Sequence, residues 1–365
     1  MMNNNKQQGF TLIEMMIALA LGLVISAAAV MLFLTGQRGH ALQQGMSNVQ
    51  ENGNFGLNYI TRDIRASNLN NSTALINNEV KYSGIVFTSS ANGVSKTEGG
   101  VSVIYSNLPN TIVGATANAA LLSRSGGLTN VEGSSPGVVS DQLVIQYVPQ
   151  YKLDDKGTTG TATSDADDTI FGGFDCEGNR IEFLAKKDAA NPTRPYGRHM
   201  VVQRYFLRQD TNNSDNEPNA PLGLACEAGT YSLEEEPTTI RTYTPTGDVL
   251  KTFGGDGQII MKRVDHLRVL YGYIGADDKF RYVSAADYMG LTGSPKPRIV
   301  SVQLGLLTRS TQSVGSDATF DNDKTYQILD QLVKVKTPAA NTPNYVRQVI
   351  TQTVALRNSF GDRGQ

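Results

Sequence analysis

Residues 10–34 read FTLIEMMIALALGLVISAAAVMLFL, an apolar run of 25 residues in which Glu14 is the one charged residue. As an α-helix rising 1.5 Å per residue, this run would be about 37 Å long, enough to cross a bilayer with some tilt. The nine residues before it are polar and include one cation, Lys6. The pattern therefore predicts a membrane-spanning helix near the N-terminus.

A cleaved secretory signal is the alternative interpretation of this run, because Ala27, Ala28 and Ala29 offer a small-residue cleavage site. Two features argue against it. The run continues beyond that site to Leu34, and it contains a carboxylate where a signal peptide needs an uninterrupted apolar centre. A carboxylate inside a bilayer costs about 2.5–3.5 kcal/mol on insertion scales, so we expect Glu14 to have a partner.

Composition excludes several classes of protein. The chain has 365 residues, enough for one large or two ordinary domains, with 32 Lys and Arg against 34 Asp and Glu. This balance argues against a strongly basic nucleic-acid binder. Two cysteines cannot supply a four-ligand zinc site, and the three histidines, His40, His199 and His266, are scattered along the chain. We therefore predict no catalytic site, no cofactor, no metal ion and no nucleic-acid partner.

The helical pattern continues beyond the membrane run. Apolar residues recur there at steps of three and four, and Gly53 takes the place of one of them. The prediction is one helix over 10–67, membrane-spanning over 10–34 and amphipathic over 35–67. Each helix glycine costs about 1 kcal/mol of helix stability relative to Ala, so we expect the helix to need packing against a head domain and neighbouring chains. A separate coiled-coil partner is the less favoured interpretation of the apolar stripe. The stripe comprises Leu42, Met46, Val49, Leu57, Ile60 and Ile64, and the glycines are Gly36, Gly39, Gly45, Gly53 and Gly56.

From about residue 68 the sequence changes character. Residues 68–136 are rich in Asn, Ser, Thr and Gly, which is typical of short strands joined by long polar loops. Clearer strands follow, and their alternating apolar residues indicate an antiparallel sheet covered on one face by the amphipathic half of the helix. The predicted fold class is α+β, with a loop-rich β head over 68–365. The predicted strands are 142–148, 180–184, 200–208, 258–273, 298–309, 326–335 and 345–356.

Residues 6–18, KQQGFTLIEMMIA, resemble the class III leader of type IV pilins and pseudopilins. In that family a membrane peptidase cuts after the glycine and methylates the new N-terminal phenylalanine. The resemblance implies that residues 1–9 are a cytoplasmic leader, that cleavage falls between Gly9 and Phe10, and that Phe10 becomes N-methylated. It also implies that Glu14 neutralises the N-terminal amine of a neighbouring subunit and so sets the axial register between subunits.

Several further segments resemble PilW-type minor pilins: 50–53, 61–66, 141–147 (DQLVIQY), 264–272 (VDHLRVLYG) and 352–358 (QTVALRN). The resemblance implies a non-enzymatic subunit that primes type IV pilus assembly and forms part of the pilus tip complex. Its implied partners are other minor pilins, the major pilin, the prepilin peptidase, the inner-membrane assembly platform and a PilY-type tip adhesin. Before assembly the chain would cross the inner membrane once, with its N-terminus cytoplasmic, and afterwards it would lie in the pilus at the cell surface.

The two cysteines, Cys176 and Cys226, both fall in the part that this resemblance places outside the cytoplasm. An even number of cysteines in an oxidising compartment favours one disulfide, although two unpaired buried thiols are the alternative. PilW-like proteins also have a cysteine pair in this region, with the first followed by a polar residue and a glycine, as in Cys176-Glu177-Gly178. We therefore expect a Cys176–Cys226 disulfide.

Two alternative functions stay open at this point. The first is a minor pseudopilin of a type II secretion system, which shares the leader and the helix. The second is an adhesive or binding module at the pilus tip, whose polar loops would contact a surface. Loops 88–140 and 209–221 show no resemblance that would distinguish them.

Other groups of residues are less informative. Asp165, Asp167 and Asp168, with Asp175 nearby, lack the glycine and glutamate spacing of an EF-hand, so we expect a solvated loop rather than a calcium site. A triad of Ser301 or Ser310 with His266 is not favoured, and we expect His266 to be a neutral surface histidine. At alternating strand positions, arginines more often face solvent than phosphate, and this is the expectation for Arg204, Arg208, Arg263 and Arg268.

Overall fold

The computed structural model shows an α+β protein, as predicted, in which one long N-terminal helix packs on antiparallel sheets. The structure describes residues 9–89, 92–108, 119–133, 137–154, 169–184, 186–188, 191–196, 199–213, 216–232, 241–243, 250–315, 324–340 and 342–361.

Helix α1, Leu12–Ala66, is continuous over 55 residues. It begins after Thr11, whose side-chain oxygen caps the first turn, and it ends where the backbone N–H of Ser67 donates to the carbonyl oxygens of Asp63 and Ile64. These caps satisfy backbone groups that a helix end leaves without partners. The single long helix predicted from the apolar periodicity is therefore present.

The strands and the second helix follow α1 in the order of the chain. The strands are β1 (Val94–Glu98), β2 (Val101–Tyr105), β3 (Arg124–Gly127), β4 (Val131–Gly133), β5 (Ser140–Tyr147), β6 (Lys152–Asp154), β7 (Thr169–Phe174), β8 (Arg180–Leu184), β9 (Lys186–Asp188), β10 (Asn191–Tyr196), β11 (His199–Gln209), β12 (Leu222–Ser232), β13 (Arg241–Tyr243), β14 (Leu250–Thr252), β15 (Gln258–Lys262), β16 (Val264–Ile274), β17 (Phe280–Val283), β18 (Ile299–Arg309), β19 (Thr325–Ile328), β20 (Gln331–Val335) and β21 (Arg347–Ala355). Helix α2 is Ala285–Gly290, and short 3-10 helices lie at Ala119–Leu121 and Arg357–Ser359.

Two antiparallel sheets form the body of the head. The larger has seven strands in the order β14-β13-β12-β11-β5-β3, with β15 also pairing to β12. The smaller has four strands in the order β17-β16-β18-β21. Smaller sheets in the described part of the chain are β19-β20-β4, β6-β7-β8 and the pairs β1-β2 and β9-β10.

Two of the predicted strands are each divided in the structure. The predicted strand 258–273 breaks at Arg263, whose φ of 56° turns the chain from β15 in the larger sheet to β16 in the smaller one. The predicted strand 326–335 is a hairpin, β19-β20, with Leu329 at a φ of 53°. Positive φ is uncommon for residues other than glycine, so the sequence gives no local sign of either turn.

Strand β12 lies in the middle of the larger sheet and was not predicted. Its sequence, LGLACEAGTYS, contains two glycines and two alanines and has no clear alternation of apolar and polar residues. Small residues have low strand propensity, and here the strand forms because β11 and β15 pair with it along both edges.

The C-terminal half of α1 forms part of the core of the head. Leu57, Ile60 and Ile64 are buried in one apolar cluster with residues from both large sheets. The cluster includes Leu143, Tyr205 and Leu224 of the larger sheet and Leu267, Val302, Leu304 and Val354 of the smaller one. The predicted cover of the sheet by this half of the helix is therefore present. Leu42 and Met46, at the lower end of the same stripe, stay 40% and 47% exposed.

Glycines set the distance between α1 and the sheets. A Cβ added at Gly53 would collide with Cδ1 of Ile350, and one at Gly45 would lie 2.8 Å from Cγ1 of Val314. At Gly56 an added Cβ would lie 3.0 Å from Cβ of Met261. By contrast, nothing lies within 4 Å of an added Cβ at Gly39. The glycines facing the head thus permit a close helix–sheet approach that compensates their cost in helix propensity.

This packing predicts that Gly56→Leu destabilises the protein by about 1–3 kcal/mol through overpacking against Met261. The matched control is Gly39→Leu in the same helix, which should be neutral or stabilising because it gains helix propensity without meeting another atom. The free energy of unfolding of the full chain in detergent measures both. Equal stability of the two variants would contradict the close packing.

Candidate functional site

The segment before α1 is exposed and extended. Gly9 and Phe10 lie outside the helix, and the Phe10 side chain is 85% exposed. Both residues of the expected cleavage site are therefore accessible in the folded chain. Residues 1–8 of the expected leader lie outside the described part of the chain.

Glu14 stands at the third helical position and forms a capping box with Thr11. One carboxylate oxygen, Oε2, accepts hydrogen bonds from the Thr11 backbone N–H (3.0 Å) and hydroxyl (2.9 Å). In return, the Glu14 backbone N–H donates to Thr11 Oγ1 at 3.3 Å. A carboxylate in this position is also favoured by the positive end of the helix dipole. The structure thus holds the carboxylate close to Phe10, at the start of the helix.

The N-terminal half of α1 has no cover from the head. Its large apolar side chains are exposed, from Phe10 to Leu34, which is still 46% exposed. By length and composition this helix could cross a membrane. An apolar surface of this extent needs lipid or other apolar helices around it.

The structure contains the Cys176–Cys226 disulfide, with the two Cα atoms 6.1 Å apart. The hydroxyl of Tyr59 in α1 donates to the Cys176 carbonyl oxygen at 3.0 Å. Next to it, the Glu177 carboxylate accepts a hydrogen bond from the backbone N–H of Ala228 at 3.1 Å. The bridge therefore joins the turn between β7 and β8 to the centre of the larger sheet, close to the upper end of α1.

The prediction that four strand arginines face solvent is wrong. Arg204, Arg263 and Arg268 are buried, and Arg208 is half-buried and donates to backbone oxygens of Gln209 and Gly257. The reason is tertiary, because loops and neighbouring strands cover the faces that strand periodicity assigns to water. The buried ion pairs are Arg204 with Glu227 (2.7 Å), Arg263 with Asp210 (2.8 Å) and Glu217 (2.7 Å), and Arg268 with Asp141 (3.2 Å). Arg268 also pairs with the exposed Asp330 (2.6 Å).

A further ion-pair network, which the sequence did not indicate, is centred on Asp265. Its carboxylate is fully buried, lies 3.3 Å from Nε of Arg309 and 2.9 Å from Nε of Arg347, and accepts a hydrogen bond from Asn130. Arg309 is also fully buried and pairs with Glu217. The one available signal was the position of these charged residues at the ends of otherwise largely apolar strands. These groups hold the loop before β12 to the smaller sheet, and both arginines of the network are engaged in ion pairs within it.

His266 is buried rather than on the surface, which corrects the prediction. Its Nδ1 lies 2.9 Å from Thr129 Oγ1, and its Nε2 lies 3.0 Å from Gln331 Oε1. Burial lowers the pKa of His266 to about 4, so the ring is neutral at pH 7. The hydroxyls of Ser301 and Ser310 donate instead to Tyr282 and to the carbonyl oxygen of Gln312. The structure does not bring these serines and His266 together as a triad.

The expected solvated loop with Asp165, Asp167 and Asp168 lies outside the described residues. Asp175 lies within them, and its Oδ1 accepts hydrogen bonds from the backbone N–H groups of Glu177 and Asn179, both at 2.9 Å. Burial raises the pKa of Asp175 to about 6. Within the described ranges, no group of three or more His, Cys, Asp or Glu side chains is placed to hold a metal ion.

Two family models match the chain. The prokaryotic N-terminal methylation motif matches residues 4–30, which include Gly9, Phe10 and Glu14. The model of type IV pilus-assembly protein W matches residues 226–358. Over these two stretches the chain is similar to proteins of type IV pilus assembly. Of the segments that suggested this resemblance, 264–272 and 352–358 lie inside the match, whereas 50–53, 61–66 and 141–147 lie before it.

A solved structure, the type IV-like pilin TTHA1219 from Thermus thermophilus, aligns with 65% of this chain and 84% of its own chain. The sequence identity is 13% and the TM-score is 0.24. No curated protein sequence matches the chain significantly. The two family matches indicate a structural, pilin-like protein in a type IV pilus assembly context.

The buried network predicts that Asp265→Asn destabilises the head by about 3–5 kcal/mol, because it leaves Arg309 and Arg347 buried without their shared carboxylate. The control is Asp277→Asn, whose partner Arg281 lies on the surface, and we expect no resolvable loss of stability because water screens this pair. Urea unfolding of the full chain in detergent measures both, and similar losses in the two variants would contradict the network's role.

Proposed function

We propose that this protein is a minor pilin that primes type IV pilus assembly and becomes part of the pilus tip complex. The observation that carries the proposal is an uncovered apolar half-helix that begins with a matched methylation motif and continues without a break into the core of the head. A helix of this kind anchors the head in a bilayer, and it gives the head a rod that other pilins can surround.

The proposal divides the chain into four parts. Residues 1–9 form the cytoplasmic leader, which the prepilin peptidase removes between Gly9 and Phe10 before Phe10 is N-methylated. Residues 10–34 cross the inner membrane once, residues 35–67 link the anchor to the head, and residues 68–365 form the periplasmic and later extracellular head. The matched methylation motif over residues 4–30 supports this division.

Glu14 has the central role in the proposed assembly step. Both hydrogen bonds that its side chain makes to Thr11 use Oε2, so the carboxylate can also meet an amine from outside the chain. Cleavage after Gly9 would create an ammonium group on Phe10, one helical turn away. In lipid, an unpaired carboxylate and an unpaired ammonium are both costly, and pairing them between adjacent subunits relieves both costs. This would favour docking in a single axial register.

The partners in this proposal are other minor pilins and the major pilin, with the inner-membrane assembly platform during extraction from the membrane. A PilY-type adhesin at the tip would contact the head. The matched family of pilus-assembly proteins supports this setting. In a type II secretion system the same anchor would serve enzyme export instead, so phenotype distinguishes the two systems.

The proposal predicts that Glu14→Ala reduces surface pili by at least about tenfold without preventing cleavage after Gly9. Leaving the amine of a neighbouring subunit unpaired costs about 3–5 kcal/mol. A cost of about 1.4 kcal/mol already changes the equilibrium constant for docking tenfold. Glu14→Gln can keep the hydrogen bonds to Thr11 but lacks the charge, so it should behave like Glu14→Ala if the charge matters.

The matched control is Glu51→Ala, which removes an exposed carboxylate higher on the same helix. Pili counted by electron microscopy, twitching motility and leader cleavage on immunoblots are the readouts, in a strain that carries each variant as its only copy. Normal piliation in Glu14→Ala would contradict the register role. Normal pili with loss of exported enzymes on deleting the whole chain would instead support a pseudopilin.

A further inference from the structure

Strand β21 is the last strand in the order of the smaller sheet. It pairs with β18 along one side over the whole of its length, Arg347–Ala355, without a register shift. On its other side, no strand pairs with it among the residues that the structure describes. A free edge nine residues long presents a row of backbone donors and acceptors to any extended chain that comes near.

The hydrogen-bond pattern shows which backbone groups face outward. Immediately before β21 in the chain, the Val346 carbonyl accepts a hydrogen bond from the Ser310 N–H at 2.8 Å. Immediately after β21, the Leu356 N–H donates to the Val300 carbonyl at 2.9 Å. In an antiparallel pair, bonding to the neighbour alternates along the strand, so the even-numbered residues bond to β18. The outward-facing backbone groups therefore belong to Arg347, Val349, Thr351, Thr353 and Ala355.

Each face of β21 packs against a neighbouring element, whereas no strand of the described residues covers its outer edge. On one face, Ile350 lies against Gly53 of α1. On the other face, Val349 packs against the apolar cluster that includes Ile328 of β19. The strand sequence RQVITQTVA has no proline or lysine to prevent pairing, and Thr351 and Thr353 are exposed. Arg347 is the one charged residue of β21, and its side chain is engaged with the buried Asp265. Its charge therefore does not protect the outer edge from pairing.

Contacts with α1 give the direction of β21. Position 45 of the helix faces Val346, position 53 faces Ile350, and the Arg65 carbonyl accepts from the Asn358 side chain at 3.2 Å. The helix and the strand therefore run in the same direction, away from the apolar end of α1. Two copies anchored in one membrane would present β21 strands that point the same way. Two β21 strands that point the same way cannot pair antiparallel unless one copy is inverted. An antiparallel partner strand must therefore come from another element of a neighbouring subunit.

We propose that the free edge of β21 is the docking site for an extended segment of a neighbouring pilus subunit. The segment adds as a fifth strand of the smaller sheet and runs toward the membrane. It lies antiparallel to β21, because β16, β17, β18 and β21 all pair antiparallel in this sheet. This inference rests on the proposed function, because that function supplies the neighbouring subunit. Main-chain hydrogen bonds to the outward-facing groups provide the attachment.

The surroundings of the edge define the chemistry of the partner segment. Leu42 and Met46 flank Gly45, which lies against the lower end of β21, and both side chains remain largely uncovered. A segment with β-branched or aromatic residues at every second position would cover this part of the stripe with one set of side chains. The other side chains of the partner segment would lie on the face of the sheet next to β19, beside the polar side chains of Thr351 and Thr353.

Hydrogen–deuterium exchange resolved to single amides tests the edge, with the chain in detergent compared with the chain in sheared pili. The amides of Val349, Thr351 and Thr353 should exchange at least about tenfold more slowly in pili, since breaking a strand pairing that holds them costs about 1.4 kcal/mol or more. The neighbouring even-numbered amides, which bond to β18, should be slow in both samples. Equally fast exchange of the outward-facing amides in pili would overturn the inference.

A substitution tests the same edge without exchange measurements. Thr351→Pro removes an outward-facing N–H and no bond to β18, which is the position where proline is tolerated in an edge strand. The control Thr351→Val keeps the N–H. We expect both variants to fold, judged by their thermal unfolding in detergent, and Thr351→Pro alone to be depleted from sheared pili. Equal incorporation of the two variants would overturn the inference.

The two proposals can fail separately. Finding the wild-type chain in sheared pili supports the proposed function whatever the exchange result. If the chain is present there and its outward-facing amides stay unprotected, the edge inference fails alone. If the wild-type chain is absent from pili, both fail, because the neighbouring subunit is then absent as well.

Discussion

The structure depends on the unequal cover of one helix. The C-terminal half of α1 is buried in the core of the head, whereas the N-terminal half has no cover from the head. Water does not stabilise this exposed apolar N-terminal half, which therefore needs lipid or other apolar helices around it. The anchor and the head therefore cannot be separated by a hinge at the point where burial begins, because the helix is continuous there.

This continuity explains the glycines of α1. Those that face the head let the backbone come close to Met261, Val314 and Ile350, and so the helix is held by the sheets along several turns. The disulfide and the hydrogen bond from Tyr59 to Cys176 hold the upper end of the helix in place. A force applied to the anchor would thus reach both large sheets through packed contacts. The same contacts fix the direction of β21 relative to the membrane, which is why the edge of that strand has a defined orientation.

The features that were predictable from sequence are those with a local or periodic signal. The helix follows from its apolar period, and β5, β8, β11, β18 and β21 lie within a few residues of the predicted strands. The N-terminal site is equally visible, because Gly9, Phe10 and Glu14 lie in one short motif. Strand β12 and the turns at Arg263 and Leu329 were not predictable, since they depend on pairing partners far away in the chain. The buried arginines have the same cause: strand alternation assigns them to water, and loops from other parts of the chain cover them. The free edge of β21 appears only once the strand order is known.

The central claim is that the apolar half-helix stays attached to the mature protein and begins at Phe10. The most direct test is mass spectrometry of the N-terminal peptide of the chain recovered from membranes. Our account predicts a peptide that starts with Phe10 and carries one methyl group on its amine. A mature chain that starts at Val30, as after an ordinary signal-peptide cleavage, would contradict it.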